Sequence, residues 1–357
     1  MSVTLLQGDC LELLPTLEDN SIDLIATDPP YYKVKGDAWD RQWDTPALFL
    51  AWLDTVLEQM ARVLKPNGSL YLFASPKMAA RVEVTVGQRL NVLNRICWAK
   101  GGGDAKHGGK WAAANKESLR NYFPESEYII FAEHYGADNI AKGEAGYAAK
   151  CDELRGFIFE PLRAYLDGER KRAGISYQQV NNIIGKPVAG GGMATHYFSD
   201  PLTLKHSQWA LPTKEHYEAM REGFSRLNHG GEYLRREYEE LRREYEYLRR
   251  EYEELRRPFS VTADVPYTDV WTFPTVQACA GKHPCEKPES LLSHIIKASS
   301  KEGSTVLDAF MGSGVTGACC VKLNRNFIGI EKDEKYFEQS KRRIELAQAQ
   351  PALEFAK

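Results

Sequence analysis

Long hydrophobic runs are absent from this chain of 357 residues. That excludes a bundle of membrane-spanning helices, each of which needs about 20 consecutive apolar residues. The opening stretch, Met1–Asn20, is acidic and does not read as a signal peptide. Cysteine is scarce: seven residues, odd in number and scattered, which speaks against a disulfide framework and suits a reducing cytoplasm. Cys279, His283 and Cys285 lie close together, but their spacing matches no common zinc finger or ribbon, so no metal is expected. Positive charge is not in excess either, since 46 Lys and Arg face 49 Asp and Glu for a net charge of −3. Any grip on nucleic acid must come from a local cationic surface rather than from the total charge.

What the chain does have begins at Asp28-Pro29-Pro30-Tyr31, just past the apolar run 22–26. Two prolines and an aromatic after a strand make a rigid flat shelf with a carboxylate at its edge. Such a shelf suits holding a planar ring that carries an amino group while its nitrogen attacks. A second arrangement lies far along the chain. Thr305–Asp308 reads as a short buried strand, followed by Ala309-Phe310-Met311-Gly312-Ser313-Gly314 and a helical stretch from Val315 to Leu323. Glycines between strand and helix let the backbone approach a ligand closely. The next apolar run, Phe327–Ile330, ends in Glu331, and an acidic residue about 20 residues past such a loop is the usual partner of ribose hydroxyls. A third glycine and a basic loop, which would suit a pyrophosphate, are missing. The implied cofactor is a nucleoside without phosphates, S-adenosylmethionine rather than NAD.

On these residues the chain resembles amino-group DNA methyltransferases of the adenine-N6 and cytosine-N4 type. Asp28, Pro29, Pro30 and Tyr31 match the family's catalytic motif, and Asp308, Phe310, Gly312, Ser313 and Gly314 its cofactor loop. His283, Lys287 and Pro288 match the His-Pro-x-x-Lys-Pro segment before that loop, and Gly8, Asp9 and Cys10 the short motif against the cofactor's adenine. With the catalytic motif first and the cofactor loop last, the order resembles the beta class, a circular permutation. Ala309 and Val315 depart from the family pattern without removing a needed side chain. The chain as a whole, the segment 266–271 included, also resembles adenine methyltransferases of bacteriophages and prophages, some of low sequence specificity.

The resemblance implies an α/β, Rossmann-like S-adenosylmethionine-dependent methyltransferase fold. It also implies a reaction in which a base is flipped from the duplex and its exocyclic amine takes the methyl group. Tyr31 would stack on the ring, with Asp28 and the Pro29 carbonyl accepting from the amine. Glu331 would take the ribose, Asp9 and Cys10 the adenine edge, and Phe310 with Gly312–Gly314 the methionine part, Lys287 lying nearby. Asp rather than Ser before Pro-Pro-Tyr favours adenine-N6 over cytosine-N4. Related enzymes acting on RNA guanine or on a glutamine side chain usually carry Asn there and place the cofactor loop first. A DNA-binding regulator with a degenerate methyltransferase body is a rival of another class.

Alternating strand and helix patterns over residues 1–135 suggest a parallel sheet. Strands are expected at Val3–Leu6, Leu24–Thr27, Ser69–Phe73, Leu93–Trp98 and Tyr128–Ala132, a helix at Pro46–Leu64, and a turn at Lys65–Gly68. The domain boundaries are then residues 1–150 for the catalytic half, 151–231 for a helical insertion, 232–257 for a heptad helix and 258–357 for the cofactor half. The stretch Arg95–Arg120 sets six cations (Arg95, Lys100, Lys106, Lys110, Lys116, Arg120) against Asp104 and Glu117, with Trp98 and Trp111 among them. It reads either as a loop that closes over DNA phosphates or as a solvated surface loop.

In the insertion, Ser176–Ile184 and Met193–Phe198 read as two short helices. They form either a helix-turn-helix reader with Thr195 and His196 facing DNA or a structural pair, and a helical region is expected again at Trp209–Met220. Beyond it, Leu234, Leu241, Leu248 and Leu255 recur every seven residues, with Tyr238, Tyr245 and Tyr252 three residues before the last three. This is a coiled-coil pattern. Its partner is a second copy of the chain in a homodimer, the helices of the insertion, or none.

Overall fold

The computed structural model describes residues 1–34, 41–100, 122, 124–135, 154–187, 192–198, 209–260, 268–276 and 285–349. The chain forms two compact units, Met1–Asn139 with Arg257–Lys357, and Ile140–Arg256. Along the first unit lie β1 (Val3–Gln7), α1 (Cys10–Leu13), β2 (Ile22–Thr27), α2 (Pro46–Val63), β3 (Leu64–Ala74), α3 (Ala79–Val86), β4 (Asn91–Ala99) and β5 (Ser126–Glu133). The second unit contributes α4 (Glu160–Arg172), α5 (Tyr177–Ile183), α6 (Gly192–Phe198), α7 (Lys214–Leu227) and α8 (Tyr238–Leu255). The first unit then resumes with β6 (Val270–Thr272), α9 (Glu289–Ser299), β7 (Thr305–Asp308), α10 (Val315–Lys322), β8 (Asn326–Glu331) and α11 (Glu334–Ala349). Among the described residues, no helix is long and apolar enough to cross a membrane.

The first unit is built on one eight-stranded sheet in the order β1-β8-β7-β2-β3-β5-β4-β6. Both ends of the chain supply its strands, and β2 lies beside β7 with Leu24 opposite Val306 and Ile25 opposite Leu307. The expectation of a wholly parallel sheet needs correction, because β5 runs antiparallel to β3 on one side and to β4 on the other. An antiparallel strand needs no crossover helix, and its apolar run reads the same in either direction. Lys65–Gly68 is also not a free turn. β3 begins at Leu64, and the ladder with β2 passes from the pair Ile22 and Leu64 to the pair Leu24 and Ser69, so the intervening residues form a bulge.

Side chains leave the central strands alternately on two faces. Ile25, Leu70, Leu72 and Leu307 join the core under α2 and α3, where Phe49, Leu53, Val56, Leu57 and Met60 are buried. Leu24, Ala26, Tyr71 and Phe73 join the other core, with Leu291, Ile295 and Ala318 from α9 and α10. Covered on both faces, β2 is apolar almost throughout. Local signals set the helix ends. Pro46 starts α2, with the Thr45 side chain accepting from the Leu48 amide at 3.3 Å. Pro288 stands at the cap of α9.

The second unit has its own apolar core. Ser176 forms a capping box with Gln179 at the start of α5. Buried Asn181 clasps α6 by accepting from the Ala194 amide at 2.9 Å. The helix expected from Trp209 begins only at Lys214, because Thr213 caps it and Pro212 precedes it.

The heptad stripe also differs from a coiled-coil seam. α8 spans 18 residues rather than the whole repeat, about 27 Å at 1.5 Å per residue. Leu234 and Leu241 are fully buried and Tyr252 nearly so, all within the second unit's core, whereas Leu255 is exposed. Arg236 pairs with Glu240 and Glu244, and Arg221 of α7 with Glu237, all inside the same unit. The first two leucines of the stripe are thus satisfied within the chain, and the heptad helix shares a unit with the insertion. Leu241→Ala is expected to cost about 2–5 kcal/mol by leaving a cavity in that core. Urea unfolding will show it as an earlier transition, while sedimentation will show an unchanged molecular mass. A lower mass with an unmoved transition would restore the seam between copies.

Candidate active site

Register brings the sequence motifs to one edge of the sheet. Gln7 lies opposite Glu331, Asp308 opposite Gly329, and Thr27 opposite Leu72. The carboxyl ends of β1, β8, β7 and β2 therefore share an edge, which is where α/β folds bind ligands. A cavity of about 460 Å³ opens there, lined by Asp9, Cys10, Asp28, Pro29, Pro30, Tyr31, Lys287, Asp308, Phe310, Gly312, Ser313 and Glu331. Gly314 and Pro288 do not line it, since they start α10 and α9. His283 lies outside the described residues, as do Lys106, Lys110, Lys116 and Arg120.

Asp308 clasps the elements around the loop. It accepts from the Thr27 and Thr316 hydroxyls, both at 2.7 Å, and from the Phe310 amide at 3.2 Å. Burial pushes its carboxyl up to about 6. Both oxygens of Glu331 take backbone amides, from Gly312 and Asp333, each at 2.8 Å. Burial raises this carboxyl against the pull of those amides. A carboxylate has about four lone-pair positions, so Glu331 keeps acceptor capacity toward the cavity. Asp9 caps α1 through the Leu11 amide at 2.9 Å and pairs with Lys332, also at 2.9 Å. Its carboxyl lies below the usual range because these contacts outweigh burial. The neighbouring Cys10 thiol is pushed up to about 12 by burial, so it stays protonated.

The shelf belongs to a charge network. Lys287, only 6% exposed, donates to Asp28 Oδ2 at 2.5 Å and lies 3.3 Å from Glu127 Oε2. Tyr31 donates its hydroxyl to the same Glu127 oxygen at 3.0 Å, and Lys100 reaches the other at 2.5 Å. Lys287 also sits 5.2 Å from the Tyr31 ring centroid and 5.1 Å from that of Phe73. Burial, the largest influence, lifts the Asp28 carboxyl; Lys287 pulls it down and Glu127 lifts it again, leaving it above the ordinary carboxylate range. Glu127 ends below that range, because Lys287 and Lys100 together overcome its burial. Lys287 is raised despite burial, held charged by Asp28 and Glu127. Among the described residues, the second oxygen of Asp28, Oδ1, is buried and has no hydrogen-bond partner.

Two of the residues expected at the site have charged partners inside the first unit. The motif puts Lys287 among the cofactor residues, yet its ammonium is engaged by the shelf carboxylate. The basic stretch puts Lys100 at DNA, but its charge is drawn inward by Glu127, which needs a counter-ion once buried. Arg95 is half-exposed and paired with Glu83 at 2.9 Å. Thr195 bonds its own helix through Gly192 O, and the His196 carbonyl accepts from the Ala210 amide. Sequence reasoning misses Glu127, and it misses Trp52 and Phe73 in the cavity wall, with Trp52 packed 5.7 Å from Phe310. Had β5 been parallel, Glu133 and not Glu127 would stand at this edge. No local signal carries the reversal.

A family model described as DNA methylase, covering N6 and N4 methyltransferases, matches residues 22–342. The chain belongs to this family. It is therefore a DNA methyltransferase, and its methyl donor is S-adenosylmethionine. The DNA adenine methyltransferase YhdJ of Escherichia coli (strain K12) is 25% identical over 358 residues, 99% of this chain and 86% of that protein. The type II methyltransferase M2.DpnII of Streptococcus pneumoniae is 49% identical over 80 residues, 22% of this chain and 30% of that protein. Among solved structures, the cytosine-N4-specific PvuII DNA methyltransferase aligns with a TM-score of 0.50 at 12% identity, over 96% of this chain and 86% of that one. That likeness is one of fold alone.

The cavity suits this methyltransferase's donor. Its volume falls within the range of small-molecule sites, roughly 300–1,000 Å³. Glu331 offers an acceptor at one wall, the backbone of Gly312 and Ser313 lines the loop, and apolar Phe310 and Trp52 adjoin them.

Proposed function

We propose that the enzyme methylates the exocyclic N6 amine of an adenine flipped out of DNA. The observation that carries this reading is Asp28, which lines the cavity beside Tyr31, the glycine loop and Glu331 and whose buried Oδ1 has no partner among the described residues. Buried polar atoms are nearly always paired. An amine donor arriving on the shelf would supply what this one lacks. Asp at the first motif position favours adenine, and so do relatives such as YhdJ, named as an adenine methyltransferase.

The lone pair of an aromatic amine is conjugated into its ring, which makes the nitrogen a weak nucleophile. Asp28 Oδ1 and the Pro29 carbonyl accept from the two amine hydrogens and draw the nitrogen toward a tetrahedral shape. Tyr31 holds the ring, one side of the shelf being occupied by the Lys287 ammonium. S-adenosylmethionine supplies a methyl group on a sulfonium, so neither metal nor covalent enzyme intermediate is needed. As the nitrogen takes the methyl group the bond from methyl to sulfur breaks, the sulfur keeping the electron pair and leaving as a thioether; the nitrogen then has one proton too many, and that proton leaves to Asp28 or to water. Positioning of this kind accounts for several kcal/mol of barrier. Phe310 and the loop backbone take the methionine part, Glu331 the ribose, and Asp9 with Cys10 the adenine edge.

The test is transfer from labelled S-adenosylmethionine to unmethylated duplex DNA, read by nucleoside mass spectrometry and mapping. N6-methyladenine at one short motif makes the second unit the sequence reader. N6-methyladenine in most contexts fits a phage-like enzyme of low specificity. N4-methylcytosine would overturn the adenine reading. Glu331→Ala is expected to weaken the cofactor by about 1.5–3 kcal/mol, the range for hydrogen bonds to a charged group. Calorimetry checks the affinity, and kcat at saturating cofactor should change little. An unchanged affinity would remove Glu331 from the ribose.

A further inference from the structure

Four charges alternate in a line at the shelf: Asp28, Lys287, Glu127 and Lys100. Asp28 ends β2 and Lys287 precedes α9, while Glu127 comes from the amino end of the reversed strand β5 and Lys100 follows β4. The line has no net charge, as a buried cluster requires if it is to avoid an uncompensated ion. Its members are shared unevenly. The Lys287 ammonium has two carboxylates in reach, at 2.5 Å and 3.3 Å, and the Tyr31 hydroxyl lies 3.4 Å away. Glu127 uses one oxygen for Lys287 and Tyr31 and the other for Lys100. Glu127 therefore touches both ends of the shelf, the aromatic directly and the carboxylate through Lys287.

We infer that Glu127 is a positioning residue for methyl transfer: it holds the Tyr31 hydroxyl and shares the Lys287 ammonium, so that Lys287 stays on Asp28 Oδ2 and leaves Oδ1 open to the substrate amine. This rests on the reading of Asp28 as the amine's acceptor. Without the Glu127 charge, Asp28 is the buried anion left to Lys287 among the described residues, and the ammonium competes with the amine for the whole Asp28 carboxylate. Tyr31 also loses its charged acceptor and with it the fixed tilt of its ring.

Among the described residues, the groups facing Asp28 are Lys287, Glu127, Tyr31 and Asp308, with Lys100 behind Glu127 and Cys285 beside Lys287. Of these, Glu127 is the carboxylate whose charge lifts Asp28. The acidic limb of kcat/KM reports an essential base of the free enzyme. Neutralising Glu127 lowers the Asp28 pKa, so the limb must move to lower pH.

The experiment compares wild type, Glu127→Gln and Glu127→Asp in steady-state methylation of duplex DNA from acid to alkaline pH, with cofactor affinity by calorimetry. For Glu127→Gln, the plateau kcat should fall about tenfold to a hundredfold, as expected for a shelf misplaced by a fraction of an ångström. Its acidic limb should move to lower pH, with cofactor affinity within about twofold. Glu127→Asp keeps the charge with a shorter reach, so its limb should return to the wild-type position while kcat stays reduced; it also serves if the glutamine variant does not fold. An active wild type whose glutamine variant loses rate without a moved limb, or loses no rate, overturns the inference alone. A wild type that methylates no DNA overturns the shelf reading and this inference together.

Discussion

Asp28→Ala is expected to lower methyl transfer by about a thousandfold, within the range for losing a group that handles a proton in the transition state. Cofactor affinity should stay close to wild type, because no hydrogen bond joins Asp28 to the Gly312 loop or to Glu331. Two losses add up in this variant. The amine loses its side-chain acceptor, and Lys287 is left with Glu127 as its partner, free to swing toward it. Asp28→Asn separates them, since the amide oxygen still accepts but carries no charge. Its rate should fall between those of wild type and Asp28→Ala. Single-turnover methylation with calorimetry on the same preparations checks both values. Lost cofactor binding with surviving chemistry would reverse the roles given to the two ends of the chain.

The parts of this site that are legible in the sequence are those whose physics is local. A strand that runs into Asp-Pro-Pro-Tyr must stop there, and the stop places Asp28 at the sheet edge. Glycines between Asp308 and Val315 must form a loop, and Pro288 must cap the helix that starts at Glu289. The charge network is not legible, because it depends on strand direction. Residues 128–132 are apolar whichever way they run, so nothing nearby says that Glu127 rather than Glu133 reaches the site. Lys287 shows the same limit from the other side. Its motif locates it near the cavity, but only the fold shows that its ammonium has Asp28 and Glu127 as partners. The heptad in α8 is a third case, since a leucine every seventh residue is satisfied equally by a second chain or by the rest of its own unit. Here Leu234 and Leu241 are buried among Phe159, Trp209 and Tyr217 of the same unit.

Gly314→Ala should be the most damaging small substitution in the segment from β7 to α11. Gly314 stands at the cap of α10 in the left-handed region, with φ +74° and ψ 13°. A side chain there costs about 1–2 kcal/mol in backbone strain. Space is the second cost: an added Cβ would lie 2.6 Å from Ser340 Cβ, 2.7 Å from Ser340 Cα and 3.0 Å from Ser340 O. Ser340 is fully buried on α11 and bonded to Phe337 O at 2.8 Å, so the helix itself must move, at an overpacking cost of about 1–3 kcal/mol. The expected loss is roughly 2–5 kcal/mol, a large part of the stability of an ordinary domain. Gly303→Ala is the control, with φ +79° but nothing within 4 Å of its added Cβ, so it carries the strain without the collision. Urea unfolding should place Gly314→Ala well below Gly303→Ala, and Gly303→Ala slightly below wild type. Cofactor affinity should fall in the first variant only, because moving Gly314 pulls the Gly312 amide away from Glu331. If the two variants melt together, the close packing of the loop on α11 is not what holds this part of the fold in place.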